Sequence, residues 1–225
     1  MSARGQMDRD RFFASLDSYF ERTLAEHGAT PRGVDWNSSE AQELRFDQLL
    51  AIVESGAPGS LLDYGCGYGA LVPYLARRRP DLIYTGFDVS ERMLEHGRAL
   101  YERPGRVGFA SVEAELAAAD YVVASGVFNL RIDVDDEAWT AYALETIESL
   151  DRLSRRGFAF NMLTMYSDRE RMREDLYYGD PSLFFAYCKE HCSRNVALLH
   201  DYDLYEFTVL VRKSESSTPT PAGRP

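Results

Sequence analysis

Leu61-Leu62-Asp63-Tyr64-Gly65-Cys66-Gly67-Tyr68-Gly69-Ala70 is the stretch on which the fold turns. Ser60–Tyr64 is a short apolar run of strand character that ends in Gly65. Glycines then stand at alternate positions. They permit a tight turn, and they let the backbone approach a ligand with no Cβ in the way. Residues 70–79 read as a helix, whose first N–H groups lack intrahelical partners and face the same place.

Working outward, strands and helices alternate. Leu82–Phe87 reads as a second strand ending at Asp88, and Ser90 is placed to cap a helix with Met93, Leu94, Gly97 and Leu100 on its apolar face. Arg106–Ala110 and Tyr121–Ala124 follow as strands. A helix starts at Asp135 or Asp136 and turns Trp139, Ala143, Ile147 and Leu150 inward, and Phe158–Leu163 is a fifth strand. Alternation of this kind implies a parallel sheet covered on both faces, with its ligand at the carboxyl ends of the strands. Arg194–His200 and Leu204–Arg212 are separated by three residues only, which forces an antiparallel hairpin. The expected class is therefore α/β: a doubly wound, mostly parallel seven-stranded sheet that closes with an antiparallel pair.

The flanks complete the organisation. Residues 8–26 carry Phe12, Leu16, Phe20 and Leu24 at helical spacing, with Phe13 and Tyr19 beside them. Ser39-x-x-Gln42 reads as a capping box ahead of a helix with Phe46, Leu49, Leu50 and Val53 on one face. Residues 1–58 are thus expected as a helical cap, 59–213 as the core and 214–225, polar and Pro-rich, as a disordered tail. Residues 164–182, rich in Tyr, Met, Arg and acids, are expected as a lid.

Composition narrows the partners. The 225 residues carry a formal charge of −11, with no basic stripe to neutralise phosphates, so a nucleic-acid partner is not expected. Arg77-Arg78-Arg79 sits at a helix end, where cations complement the helix dipole. Three cysteines, Cys66, Cys188 and Cys192, do not make a disulfide framework. With no signal peptide and no apolar run of spanning length, a cytoplasmic protein without a membrane partner is expected.

Asp88 lies 23 residues after Gly65, where a carboxylate can accept both hydroxyls of a ribose. Gly65-x-Gly67-x-x-Ala70 also satisfies a dinucleotide fingerprint, which would suit an NAD-dependent oxidoreductase. Asp63 two residues before the first glycine, the helices ahead of the first strand and the closing hairpin argue the other way. Here the chain resembles the class I S-adenosylmethionine-dependent methyltransferases. Asp63-x-Gly65-x-Gly67-x-Gly69 is similar to their first motif, and Gly86-Phe87-Asp88-Val89-Ser90-x-x-Met93-Leu94 to the stretch around their ribose-binding acid. Residues 119–129 are similar to their fourth-strand motif, and the hairpin to strands six and seven. The resemblance spans roughly residues 35 to 212 and implies S-adenosylmethionine as cofactor. It implies that Gly65, Cys66 and Gly67 offer backbone beside the methionine part, with Asp63 beneath. Asp88 would hold the ribose, Val89 and Met93 would flank the adenine, and Ser125 and Gly126 would give backbone contacts near the methionine end. No acid after the third strand matches the family's adenine contact cleanly; Glu113 stands nearest. Residues 33–37 and Gln42-x-x-Arg45-Phe46 are similar to a feature of bacterial members that act on small metabolites. Trp36 would then cover the site, and Arg45 would pair with the cofactor carboxylate through its fork; the alternatives are a core Trp and a surface Arg.

The chemistry implied is in-line methyl transfer to an oxygen or nitrogen of a small-molecule acceptor. Alignment and water exclusion carry most of that reaction, with optional help from a base. His200 at the hairpin is a candidate base or a plain turn residue. Asn129 after the fourth strand is a candidate to orient the acceptor, and Tyr178 in the lid is a further catalytic candidate. Cys188-x-x-His191-Cys192 lacks the four ligands of a zinc site, and Asp133, Asp135 and Asp136 suit helix capping, so no metal is expected. A regulator that binds the cofactor without turnover is the other alternative. Oligomeric state is left open.

Overall fold

The carboxyl ends of five parallel strands meet where the chain reverses direction across the sheet. In the computed structural model, which describes residues 11–16, 18–19, 22–23, 26, 28, 38–54, 56 and 58–214, these are β1 (Gly59–Tyr64), β2 (Leu82–Phe87), β3 (Val107–Ala110), β4 (Ala119–Ala124) and β5 (Ser154–Leu163). With β6 (Asn195–Leu199) and β7 (Glu206–Arg212) they form a seven-stranded sheet of order β3-β2-β1-β4-β5-β7-β6. β1 through β5 pair in parallel. β7 inserts antiparallel between β5 and β6. The chain runs outward from β1 to β3, then returns to β4 on the other side of β1. That reversal opens a crevice above the ends of β1 and β4.

Helices α1 (Ser39–Leu50), α2 (Leu71–Arg78) and α3 (Glu91–Tyr101) precede the reversal, and α4 (Asp136–Leu153) and α5 (Pro181–His191) follow it. Strand side chains alternate between faces. Leu61, Tyr84, Val123 and Ala159 pack with Phe46 and Leu49 of α1 and with Leu71 and Leu75 of α2. Leu62, Tyr64, Val122 and Phe158 pack on the other face, with Trp139, Ala143, Ile147 and Leu150 of α4 and Phe184 and Cys188 of α5. The apolar stripe read along residues 139–150 is thus the buried face of α4. Asp135 caps this helix, accepting from the Ala138 N–H at 2.9 Å.

Local departures from the sequence reading have simple causes. The cap of α1 is Ser38, whose hydroxyl accepts from Ala41 N–H at 3.1 Å, one residue before the Ser expected. Ser90 makes no side-chain cap; Asp88 Oδ1 accepts its N–H instead, at 2.9 Å. β5 starts at Ser154, directly after α4, because Arg155 and Arg156 extend the strand with polar side chains that an apolar search passes over. The β3-to-β4 connection holds only a three-residue 3-10 turn, Glu113–Glu115, so no α-helix covers the sheet there. Residues 11–16 are helical and lie on that face, with the Phe12 ring 4.9 Å from Trp139.

The segment expected as a lid does something else. Arg131 and Ile132 donate to Asp175 O, Tyr177 donates to Asn129 O at 2.8 Å, and the buried Tyr177 hydroxyl meets Thr140 at 2.7 Å. These contacts fasten residues 175–177 to the loop after β4. Among the described residues no helix is long and apolar enough to cross a membrane. Residues 215–225, expected as a tail, lie outside the described residues.

Candidate functional site

The glycine turn is tied to the end of β2. Gly65 and Cys66 both donate to Phe87 O, at 2.7 and 2.9 Å, and Gly69 closes the turn onto Cys66 O at 3.0 Å. Gly65 has φ +77°, and a Cβ there would stand 2.4 Å from Val127 Cγ2. Only glycine fits, on both conformational and steric grounds. Gly67 N–H donates to Asp88 Oδ2 at 2.7 Å, so the turn and the acid at the end of β2 form one unit. Asp88 Oδ2 accepts from Gly67 N–H and Oδ1 from Ser90 N–H, which orients the carboxylate at the end of β2.

A cavity of about 1170 Å³ opens over this unit. Asp63, Gly65, Cys66, Gly67, Asp88, Val89, Met93, Ser125 and Gly126, the expected cofactor-binding residues, all line it. Val89 is exposed and Met93 buried, so the pair presents one open and one fixed apolar surface. Ser125 Oγ is buried and has no hydrogen-bond partner among the described residues. Gly126 differs from expectation. Its N–H donates to Asn161 Oδ1 at 2.8 Å and its carbonyl accepts from Asn129 N–H, so its backbone is engaged within the protein.

Arg45 also departs from expectation. Its Nε donates to Glu206 Oε1 and Oε2 at 2.8 and 2.9 Å, and it is not among the residues that line the cavity. Asn161 Nδ2 donates to the same carboxylate at 2.7 Å. A buried polar chain therefore runs Arg45–Glu206–Asn161–Gly126, joining α1, β7 and β5 to the loop that bounds the cavity. Gln42 and Phe46, on the adjoining face of α1, are the residues of that motif that reach the cavity. Trp36 lies outside the described residues.

The three catalytic candidates do not meet at the cavity. His200 is exposed beside Tyr166 and Phe207, at ring distances of 6.0 and 6.2 Å. Asn129 Oδ1 accepts from Leu163 N–H at 3.2 Å and so ties the β4 loop to β5. The Tyr178 hydroxyl accepts from Arg173 N–H at 2.9 Å within its own loop. No residue of 164–182 lines the cavity. Phe12, Phe13 and Leu16, from the stretch read as an amphipathic helix of the N-terminal cap, also line it, with Tyr142 and Thr146 of α4. Glu113, the nearest match to an adenine contact, lines the cavity but accepts from Tyr64 OH at 2.8 Å and from Arg152 at 2.7 Å. Among the described residues no group of three metal-ligating side chains occurs.

Asp63 is the most perturbed acid of the site. Burial pushes its pKa up from 3.8 to about 7; the Tyr84 hydroxyl, donating at 2.9 Å, opposes the rise, and the nearby Asp88 charge adds to it. The folded state therefore holds this proton more tightly than the unfolded chain. Stability from the group is full below about pH 4 and is lost as pH rises through about 7. Asp63→Asn keeps the acceptor for Tyr84 and removes the charge. The variant is expected to melt with wild type at and below about pH 4 and above it near pH 8; equal melting at both would contradict a buried, proton-holding Asp63.

The family described as "Methyltransferase domain" matches residues 62–153. A Mycobacterium tuberculosis protein named "Putative methyltransferase Rv1506c" is 48% identical over 165 residues, which is 73% of this chain and 99% of that protein. Among solved structures, magnesium protoporphyrin IX methyltransferase from Synechocystis, with bound SAM, superposes with a TM-score of 0.59 at 17% identity, covering 95% of this chain and 99% of the other. The N-methyltransferase NodS from Bradyrhizobium japonicum, in complex with S-adenosyl-L-homocysteine, gives 0.60 at 16% identity, covering 88% and 98%. At those identities the two structures speak to the fold alone. The oxidoreductase alternative is set aside by the relative and the family match together. The chain belongs to the class I S-adenosylmethionine-dependent methyltransferase family.

Proposed function

We propose that this enzyme transfers the methyl group of S-adenosylmethionine to an oxygen or nitrogen of a small molecule held in the cavity above β1 and β4. The observation that carries the reading is the cavity itself. Its volume, about 1170 Å³, exceeds the roughly 300–1,000 Å³ of a pocket for one drug-sized ligand, and its wall joins the glycine turn and Asp88 to a set of aromatic rings.

The residues present fit the cofactor. Asp88 would accept the ribose hydroxyls, Val89 and Met93 would flank the adenine, and the Ser125 hydroxyl would take up a polar group of the methionine part. Gly65 and Gly67 would bring backbone close, with Asp63 beneath as partner for the ammonium. When bound, the sulfonium supplies an electrophilic methyl. The protein's share is to orient the acceptor and exclude water, which is worth several orders of magnitude in such displacements. None of His200, Asn129 or Tyr178 reaches the cavity, so the reading assigns catalysis to positioning rather than to a dedicated base.

A cation docking beside Asp63 pulls its proton off. Burial raises its pKa to about 7, so binding of S-adenosylhomocysteine is expected to be accompanied by net proton release near neutral pH. Titration in two buffers of different ionisation enthalpy reads this directly, and Asp63→Asn abolishes it.

Acceptor size is tested by incubating the enzyme with methyl-labelled S-adenosylmethionine and a fractionated cell extract. Label is expected in the fraction of small molecules. Label in RNA would overturn the small-molecule reading, which the acidic charge of −11 favours, because a nucleic-acid binder needs cations to neutralise phosphates.

A further inference from the structure

The sheet register sets one tyrosine against the acid under the glycine turn. Leu61 pairs with Tyr84, and Asp63 with Gly86. Residues two apart on a strand share a face, so the Tyr84 phenol lies diagonally across from Asp63. Gly86, directly opposite Asp63, has no side chain to intervene; a Cβ there would stand 2.7 Å from Cys66 Sγ. The phenol therefore reaches Asp63 Oδ2 and donates to it at 2.9 Å. Asp63 is 4% exposed and Tyr84 2%, and the Tyr84 ring meets Phe109 edge-on at 5.9 Å. Asp63 lines the cavity, whereas Tyr84 stands behind it, outside the lining.

Resting on the function proposed above, we infer that Tyr84 is a positioning residue for the cofactor: its hydroxyl fixes the buried Asp63 carboxylate and favours its ionised form, the form that binds the ammonium. A buried carboxylate is costly unless something donates to it. A hydrogen bond to the charged form lowers the cost of ionising it. The titratable groups that act on Asp63 are Tyr84 of β2, Asp88 after β2 and the Cys66 thiol of the turn. On the α1 side, Arg45 is bound to Glu206, and Asp47 accepts from the Tyr74 hydroxyl of α2. Asp88 opposes the ionisation of Asp63 by like charge, and Tyr84 favours it. Burial and the Asp63 charge push the phenol itself well up, so it stays a donor throughout the neutral range. A tyrosine that only filled the core would supply packing alone. This one also sets the pH at which the site accepts a cation.

The test is calorimetric titration of the full chain with S-adenosylhomocysteine across pH. The pKa of Asp63 lies at about 7, and below it the ligand has to displace a proton. Wild-type affinity is therefore expected to rise about tenfold between about pH 6 and about pH 8. Tyr84→Phe keeps the ring against Phe109 and deletes the donor. Its profile moves to higher pH, so its affinity is expected to be about tenfold below wild type at about pH 6 and within about twofold of it at about pH 8.5. In Asp63→Asn the same Tyr84→Phe change is expected to have an effect that does not vary with pH. An equal loss at every pH in Tyr84→Phe would mean a structural role alone and overturns the inference. A wild-type profile that is flat over this range also overturns it, and needs no variant to fold. If S-adenosylhomocysteine fails to bind the wild type at any pH, it is the function proposed above that fails instead.

Discussion

Glu206→Ala is expected to lower the unfolding free energy by about 3–5 kcal/mol, the range for breaking a buried ion pair from one side. Glu206 is 1% exposed and Arg45 7%, and they come from elements 161 residues apart. Removing the carboxylate deprives the buried guanidinium of its counter-ion and the Asn161 amide of its acceptor at once. For a chain of this size each kcal/mol is worth about 2–4 °C, so the melting point falls on the order of 10 °C. Replacing both partners, Arg45→Met with Glu206→Leu, removes both charges and is expected to recover most of the loss. Urea unfolding of the two singles and the double measures the coupling. A loss under about 1 kcal/mol in the single would mean that the pair is exposed and weak. Because Asn161 holds Gly126, the single variant is also expected to weaken ligand binding before it unfolds.

Gly65→Ala strikes the cavity directly. An L-residue in the left-handed region costs about 1–2 kcal/mol, and Gly65 sits there with φ +77°. The added methyl also meets Val127 Cγ2 at 2.4 Å, so either the turn or the β4 loop has to move. Both line the cavity. Affinity for S-adenosylhomocysteine is expected to fall about 100-fold, which corresponds to about 2.7 kcal/mol, with a stability loss of about 2 kcal/mol. Val127→Ala in the same chain relieves the clash but not the backbone strain, and should restore part of the affinity. Unchanged affinity in Gly65→Ala would show that the turn does not touch the ligand.

The strength of these predictions tracks how much of the molecule was legible from residue order. The places of the β1 turn, Asp88, Val89 and Met93 on the cavity wall could be read because they are set locally: a glycine pattern, a strand end and the helix that follows it. The hairpin of β6 and β7 could be read because a three-residue connection admits one geometry. Arg45 was misplaced because its chemistry suits a carboxylate, and the sequence does not say which carboxylate. Its partner Glu206 sits in a strand that reads as apolar, and only the sheet order brings the two together. The stripe of Gln42 and Phe46, one helical turn apart, carried the signal for the face of α1 that looks into the cavity. His200, Asn129 and Tyr178 failed to converge because closeness to a strand end does not fix which way a loop folds. Residues 164–182 read as a lid because they are aromatic and charged. In the fold, Asp175 and Tyr177 spend their hydrogen bonds on the β4 loop, and Phe12, Phe13 and Leu16 take the covering position.

The most direct test of the account is calorimetric titration of the wild type and Asp88→Ala with S-adenosylhomocysteine, with NAD in parallel. Micromolar binding to the wild type, a loss of about 100-fold in Asp88→Ala and no binding of NAD are predicted, because hydrogen bonds to a charged group are worth about 1.5–3 kcal/mol each. Equal binding by wild type and variant, or tighter binding of NAD, would contradict the placement of the cofactor on the Gly65 turn and Asp88.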